Sequence, residues 1–346
     1  MPANSLSKAA ILMVVIVLAA IISWELYLRN KGVRPDYDDG PPLWSDKRAM
    51  VYEPADKATV FIGSSRIKYD LDIATWQTTG DHAVQLAIEG NSPLPVLDDL
   101  ANDKNFKGKL VVDVTEGLFF STSDNDLGEP KGRIVYYKKQ TPAQQVSFHI
   151  NQALESHLVF LDKYNFSLNA LLDHVIIPSR PGIFIPRIFP MDFGRVTFDR
   201  QDIMTKRFEA DTNLQNQVKS IWYFYSQLPG DPPANGPKLD SILNTVKIDV
   251  DKIKARGGQV LFVRTPSSGP YLQGENTGFP RTKYWDRLLS ATNCPGIHFK
   301  NYPAIAHFQC LEFSHLKQSD AIVFTKNFIK ILSEEKNWKF SKLTGD

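Results

Sequence analysis

Residues 58–66 read Ala58-Thr-Val-Phe-Ile-Gly-Ser-Ser-Arg66, an apolar run that stops abruptly at a glycine and two serines. A short β-branched and aromatic run bounded by turn formers predicts a buried strand that delivers hydroxyls at its C-terminal end. Similar runs follow at His82–Ile88, Lys109–Thr115, Gln259–Arg264 and Gly296–Phe299. Between the second and third, residues 93–105 have a helical pattern, with Pro93 and Pro95 confined to the first turn and Leu94, Val96, Leu97 and Leu100 on one side. Strands alternating with helices predict an α/β fold with a mostly parallel central sheet covered on both faces.

About 140 residues separate the third strand from the fourth, far more than an ordinary crossover needs. Helical patterns occupy 142–163, 213–228 and 237–256, and a Pro- and aromatic-rich stretch fills 177–194. We therefore expect a largely helical inserted subdomain over about 120–257, with the Pro/aromatic stretch packed irregularly over the core. Ala321, Phe324, Phe328, Ile331 and Leu332 recur at three- and four-residue spacing, which predicts a last helix over about 315–335 that docks on the sheet. The domain organisation expected is an anchor at 1–28, a Pro-, Asp- and Gly-rich linker at 29–57, the main domain at 58–338 and a frayed polar tail at 339–346.

The anchor is read from Ala9–Leu28, AAILMVVIVLAAIISWELYL, whose one charge is Glu25. About 20 such residues cross a hydrocarbon core of roughly 30 Å, and Trp24 and Tyr27 suit the membrane interface. The run is long for a cleaved signal peptide and no small-x-small site follows it, so a retained single span in the lipid bilayer is expected. Lys8 precedes the span while Arg29, Lys31 and Arg34 follow it. Charge alone would keep the C-terminal side in the cytoplasm, but large domains translocate largely regardless of it. We expect the domain on the extracytoplasmic side. Cys294 and Cys310 are either a disulfide of an oxidising compartment or free buried thiols.

Apolar residues make up 42% of the 346 and charged residues 23%, with a net charge of +2 and no lysine or arginine run. That balance gives no support for a nucleic-acid partner. No Walker loop or dinucleotide fingerprint supports a phosphate-bearing cofactor, and none is expected. His298, His307 and His315 lack the cysteine or carboxylate spacing of a metal site. His298 reads as a strand residue, Asp113 as a structural carboxyl in an apolar run, and Thr265-Pro-Ser-Ser-Gly269 as a plain turn.

Near the C-terminus, Glu312-Phe-Ser-His315 precedes the last helix. A serine hydroxyl is a weak nucleophile until a base takes its proton, and the base needs an acceptor to fix its tautomer. Acid and base three residues apart can share one turn and face a serine at the sheet's C-terminal edge, where open α/β sheets place their sites.

Gly63-Ser64-Ser65-Arg66 after a strand, with Glu312-Phe-Ser-His315 before a helix, resembles the first and last blocks of the SGNH (GDSL-type) hydrolase superfamily. The resemblance covers about 57–120 and 258–335. It implies a three-layer sandwich, Ser65 as nucleophile, His315 as base and Glu312, in place of the usual aspartate, as the orienting acid. Ser64 stands where the family has aspartate, as in membrane-anchored relatives that transfer acyl groups to envelope polymers. Gly90, in Ile88-Glu-Gly-Asn91, matches the oxyanion-hole glycine, so the N–H groups of Ser65 and Gly90 fill two donor positions. The family's third-block asparagine is missing from Asp113-Val-Thr-Glu-Gly117, leaving Asn91 and Arg264 as substitutes, and Arg66 and Arg264 as candidate substrate contacts. The function implied is esterase or O-acyltransferase chemistry on ester groups of a cell-envelope glycan, beside a multi-span membrane acyltransferase. The alternative is a catalytically silent module that binds glycan or scaffolds such a complex.

Overall fold

The computed structural model describes residues 3–54, 56–173, 175, 182, 186–228 and 232–342. Five strands form the central sheet: β1 (Ala58–Ile62), β2 (His82–Gln85), β3 (Lys109–Asp113), β6 (Gln259–Arg264) and β7 (Gly296–His298). A separate antiparallel ribbon joins β4 (Gly194–Val196) to β5 (Asp202–Met204). The sheet order is β2-β1-β3-β6-β7 and every pairing in it is parallel. The chain therefore enters at β1, moves to one side for β2 and crosses to the other for β3. The carboxyl ends of β1 and β3 flank the switch in direction, where a crevice opens in sheets of this kind.

Strand periodicity divides the core into two layers. Val60, Ile62, Leu110, Val112 and Phe262 point to one face, under the helices Leu94–Asn102, Gly236–Ala255 and Trp285–Thr292. Phe61, Val111, Leu261, Val263 and Ile297 point to the other, under Ile73–Gln77 and Gln318–Glu335. Cys294 belongs to the first layer and Cys310 to the second, and both are free thiols. The disulfide alternative is thereby ruled out.

The chain divides into two compact units, Met1–Asp38 with Pro142–Ile185, and Asp39–Thr141 with Pro186–Asp346. This corrects the single insertion expected over 120–257. The Gly236–Ala255 helix is an ordinary covering helix, burying Leu239, Leu243, Val246, Val250 and Ile253 on the sheet. Residues 177–181 and 183–185 of the Pro/aromatic stretch lie outside the described residues.

The expected linker and tail are also corrected. Pro41–Ala49 is a helix opened by its two prolines, whose fixed φ suits a first turn. It buries Leu43 and Trp44, donates from Trp44 Nε1 to the Leu86 carbonyl at 3.0 Å and pairs Arg48 with Asp99 at 2.9 Å. At the other end, Phe340 is 1% exposed and meets the Trp76 ring edge-on at 5.3 Å. The Ser341 N–H donates to Asp81 at 3.0 Å, so residues 339–342 are packed rather than frayed, while 343–346 lie outside the described residues. Replacing Phe340 by alanine should lower unfolding stability by about 3 kcal/mol, measured by urea titration in detergent micelles. A frayed tail would leave the midpoint unchanged.

Candidate active site

β1 ends at Gly63, and only a residue without a side chain fits there. A Cβ on Gly63 would stand 2.6 Å from Asp113 Cβ and 2.8 Å from Ile67 Cγ2. The close approach lets the chain turn at once into the short Ser65–Asp70 helix. Ser64 faces inward, its hydroxyl 2.8 Å from Thr115 Oγ1 and 3.4 Å from Asp113 Oδ2. Ser65 opens the helix, half-buried, with its hydroxyl free to face the last block of the chain.

The structure brings the three expected residues together. Ser65 Oγ lies 2.8 Å from His315 Nε2, and His315 Nδ1 lies 3.0 Å from Glu312 Oε1. Glu312 is fully buried, and so requires donors. It receives them from the His315 N–H at 2.6 Å, the Ser314 N–H at 3.2 Å and Trp222 Nε1 at 2.5 Å. Burial pushes the Glu312 carboxyl up, but the neighbouring histidine and these hydrogen bonds outweigh it and hold the group below the ordinary glutamate range. The turn places Phe313 at φ +82°, a region costly for an aromatic residue. Its carbonyl accepts from the Ser268 N–H at 2.9 Å, and Gly269 lies directly under its ring. The serine-rich segment after β6 thus holds the Glu312–His315 turn.

The Ser65–Asp70 helix grips that turn at three successive residues. Arg66 Nε donates to Ser314 Oγ at 3.3 Å, the Tyr69 ring packs tilted against the His315 ring at 4.5 Å, and Asp70 Oδ1 accepts from the Leu316 N–H at 2.9 Å. Phe193 and Trp222 complete an aromatic wall around the imidazole at 5.9 and 6.3 Å. The described part of the Pro/aromatic stretch therefore adjoins the base.

Gly90 is exposed at φ +63°, and its backbone is carried by the extension of β2. The Leu86 N–H donates to the Phe61 carbonyl at 2.8 Å and the Ile88 N–H to the Gly63 carbonyl at 3.1 Å, tying this loop to the Gly63–Ser65 turn. Arg200 clamps it from the other side, donating to the Gln85 carbonyl at 2.7 Å and the Ala87 carbonyl at 2.9 Å while pairing with Asp39 at 2.9 Å. The Arg200, Lys68 and Arg133 charges overcome burial and hold Asp39 far below the usual carboxylate range.

The remaining candidates are structural. Arg264 is 2% exposed and bonds to Glu116, the Thr265 carbonyl, Ser267 and Glu275. Arg66 is 1% exposed and pairs with Glu275, stacking over Tyr271 at 5.3 Å. Neither reaches out as a substrate contact. The Asn91 amide donates to the Glu89 carbonyl at 2.7 Å and to Glu129 at 3.3 Å, so its hydrogens are turned away from an oxyanion role. Asp113 is the structural carboxyl expected, accepting from Thr115 Oγ1 at 3.1 Å, with burial pushing it up to about 6. His298 closes β7, and burial drives it down to about 3. Among the described residues no cluster of histidine, cysteine and carboxylate side chains is arranged to hold a metal.

The chain matches no protein-family model and no curated protein sequence.

Asp70 ties this geometry to pH. Burial pushes its carboxyl up to about 7, against the opposing pull of the Leu316 N–H and His315, while an unfolded aspartate titrates near 3.8. Between those values the native chain holds a proton that the unfolded chain has released, so this group lowers stability as pH rises. The Asp70→Asn variant keeps a neutral acceptor for Leu316 and loses that slope. Comparing urea midpoints at pH 4.5 and 7.5, the variant should gain on the order of 2 kcal/mol relative to wild type at the higher pH. Parallel pH profiles would contradict a proton on Asp70.

Proposed function

We propose that the protein is a membrane-anchored serine enzyme of SGNH type that acts on acyl esters through an acyl-Ser65 intermediate. The observation that carries this reading is the continuous Ser65–His315–Glu312 hydrogen-bond chain, with links of 2.8 and 3.0 Å. His315 Nε2 takes the Ser65 proton as Oγ attacks the ester carbonyl. The Glu312 carboxylate, already ionised, holds the proton on Nδ1 and stabilises the imidazolium. The developing oxyanion is served by the N–H groups of Ser65 and Gly90, backbone donors that need no rearrangement as charge appears. The Ser65 N–H also stands at a helix N-terminus, where the peptide dipoles favour negative charge. His315 then returns the proton to the leaving alcohol. In the second half-reaction it activates water or a sugar hydroxyl, which takes the acyl group and frees Ser65.

The triad works equally for hydrolysis and transfer. The Ser64-for-Asp motif and the apolar Ala3–Asn30 helix, long enough to cross a membrane, support transfer or editing of esters on an extracytoplasmic envelope glycan beside a multi-span acyltransferase.

A serine-reactive fluorophosphonate should label the wild-type chain at Ser65. The Ser65→Ala variant should lose labelling and at least about a thousandfold of its turnover of activated esters. Unlabelled wild-type protein would leave the scaffold alternative standing, and undiminished turnover by Ser65→Ala would remove that serine from the mechanism.

A further inference from the structure

The unit that contains the N-terminal helix has an inverted surface. The Pro142–Glu155 helix buries none of its residues, yet Val146, Ile150 and Leu154 recur every fourth position along one side and are 46–58% exposed. Leu168, Leu171, Leu172 and Val175 form a second stripe at three- and four-residue spacing, 54–71% exposed, while Ala170 on the same short helix is buried. In a water-soluble fold such stripes face the core. Here both face outward, and Pro142, Ala143, Val146 and Ile150 line an open apolar groove of about 520 Å³.

Their position along the span is fixed by Glu25, the charge that interrupts the apolar run. Glu25 accepts from the Val159 N–H at 3.1 Å and the Phe160 N–H at 3.3 Å, and Arg29 donates to the His157 carbonyl at 2.8 Å. The segment between the two stripes is therefore pinned to the C-terminal end of the N-terminal helix. That end bears the stacked Trp24 and Tyr27 rings, which belong where hydrocarbon meets head groups. Both stripes are purely aliphatic, without the tryptophan, tyrosine and arginine that anchor protein partners.

We infer that the Pro142–Glu155 and Leu168–Asp173 helices lie in the membrane interface, their aliphatic stripes covered by lipid at the same leaflet where the N-terminal span ends. The inference rests on that helix being a retained span. Its occupant is lipid, because the aliphatic stripes flank the segment pinned to the C-terminal end of the span and belong to the same compact unit as the span.

The test uses the full chain in nanodiscs, one chain per disc, with Cys294→Ala and Cys310→Ala as background. An environment-sensitive NBD label is placed singly by Ile150→Cys and Leu171→Cys. Val15→Cys, in the span, and Tyr223→Cys, 69% exposed in the other unit, serve as references. Labels at 150 and 171 should be blue-shifted and several-fold brighter than at 223, quenched by nitroxide-bearing lipid and shielded from iodide. Iodide quenching at 150 and 171 equal to that at 223, with position 15 shielded, would overturn the inference while leaving the span intact. Shielding from iodide without quenching by lipid would also overturn it, since protein would then cover the stripes. A water-exposed label at position 15 would instead remove the span itself.

Discussion

A carboxylate with no access to solvent is the constraint around which this site is built. Glu312 stays ionised at neutral pH only because Trp222, His315 and two backbone N–H groups of its own turn donate to it. Those bonds fix the turn, including the left-handed Phe313, and the turn fixes the imidazole. Removing the acceptor would leave buried donors unpaired and the histidine without a preferred tautomer. The same interaction therefore supports local structure and chemistry.

The sheet supplies the other half. A parallel order with its switch between β1 and β3 puts the Gly63 turn, the Thr115 loop and the Gly90 loop at one rim. The six-residue helix Ser65–Asp70 converts that placement into geometry, because Arg66, Tyr69 and Asp70 each touch a different residue of 314–316. Serine and histidine are thus held by neighbouring contacts rather than by the length of chain between them. The Arg200–Asp39 clamp does the same for the loop that carries Gly90.

Much of this was legible in the chain. The five central strands followed from period and turn residues, with β6 found at its observed ends and the other four within a few residues, whereas the short β4–β5 ribbon was not read. Ser65, Glu312 and His315 were legible because each needs a local signature: a hydroxyl at a strand end, or an acid one turn before a base. Trp222, Tyr69 and Phe193 were missed, since an aromatic on an amphipathic segment looks the same whether it packs a core or the ring of His315. Arg66 and Arg264 were read as substrate contacts and Asn91 as an oxyanion donor because nothing nearby in the chain reveals their partners Glu275, Glu116 and Glu129. The Pro41–Ala49 helix was hidden by a Pro- and Asp-rich composition, although its Pro-Pro start and its Leu43, Trp44, Lys47 and Arg48 spacing carried the signal. Burial of paired charges is a tertiary outcome, and one-dimensional patterns do not encode it.

The orientation of one imidazole tests the site most directly. Nitrogen-15 NMR of histidine-labelled protein in micelles, with His315 assigned by its loss in a His315→Gln variant, reports which ring nitrogen bears the proton in the resting state. The geometry predicts a proton on Nδ1, slow to exchange because it is bonded to Glu312, and a bare Nε2 facing Ser65. A proton resident on Nε2 instead would leave Ser65 without a base and contradict the proposed chemistry.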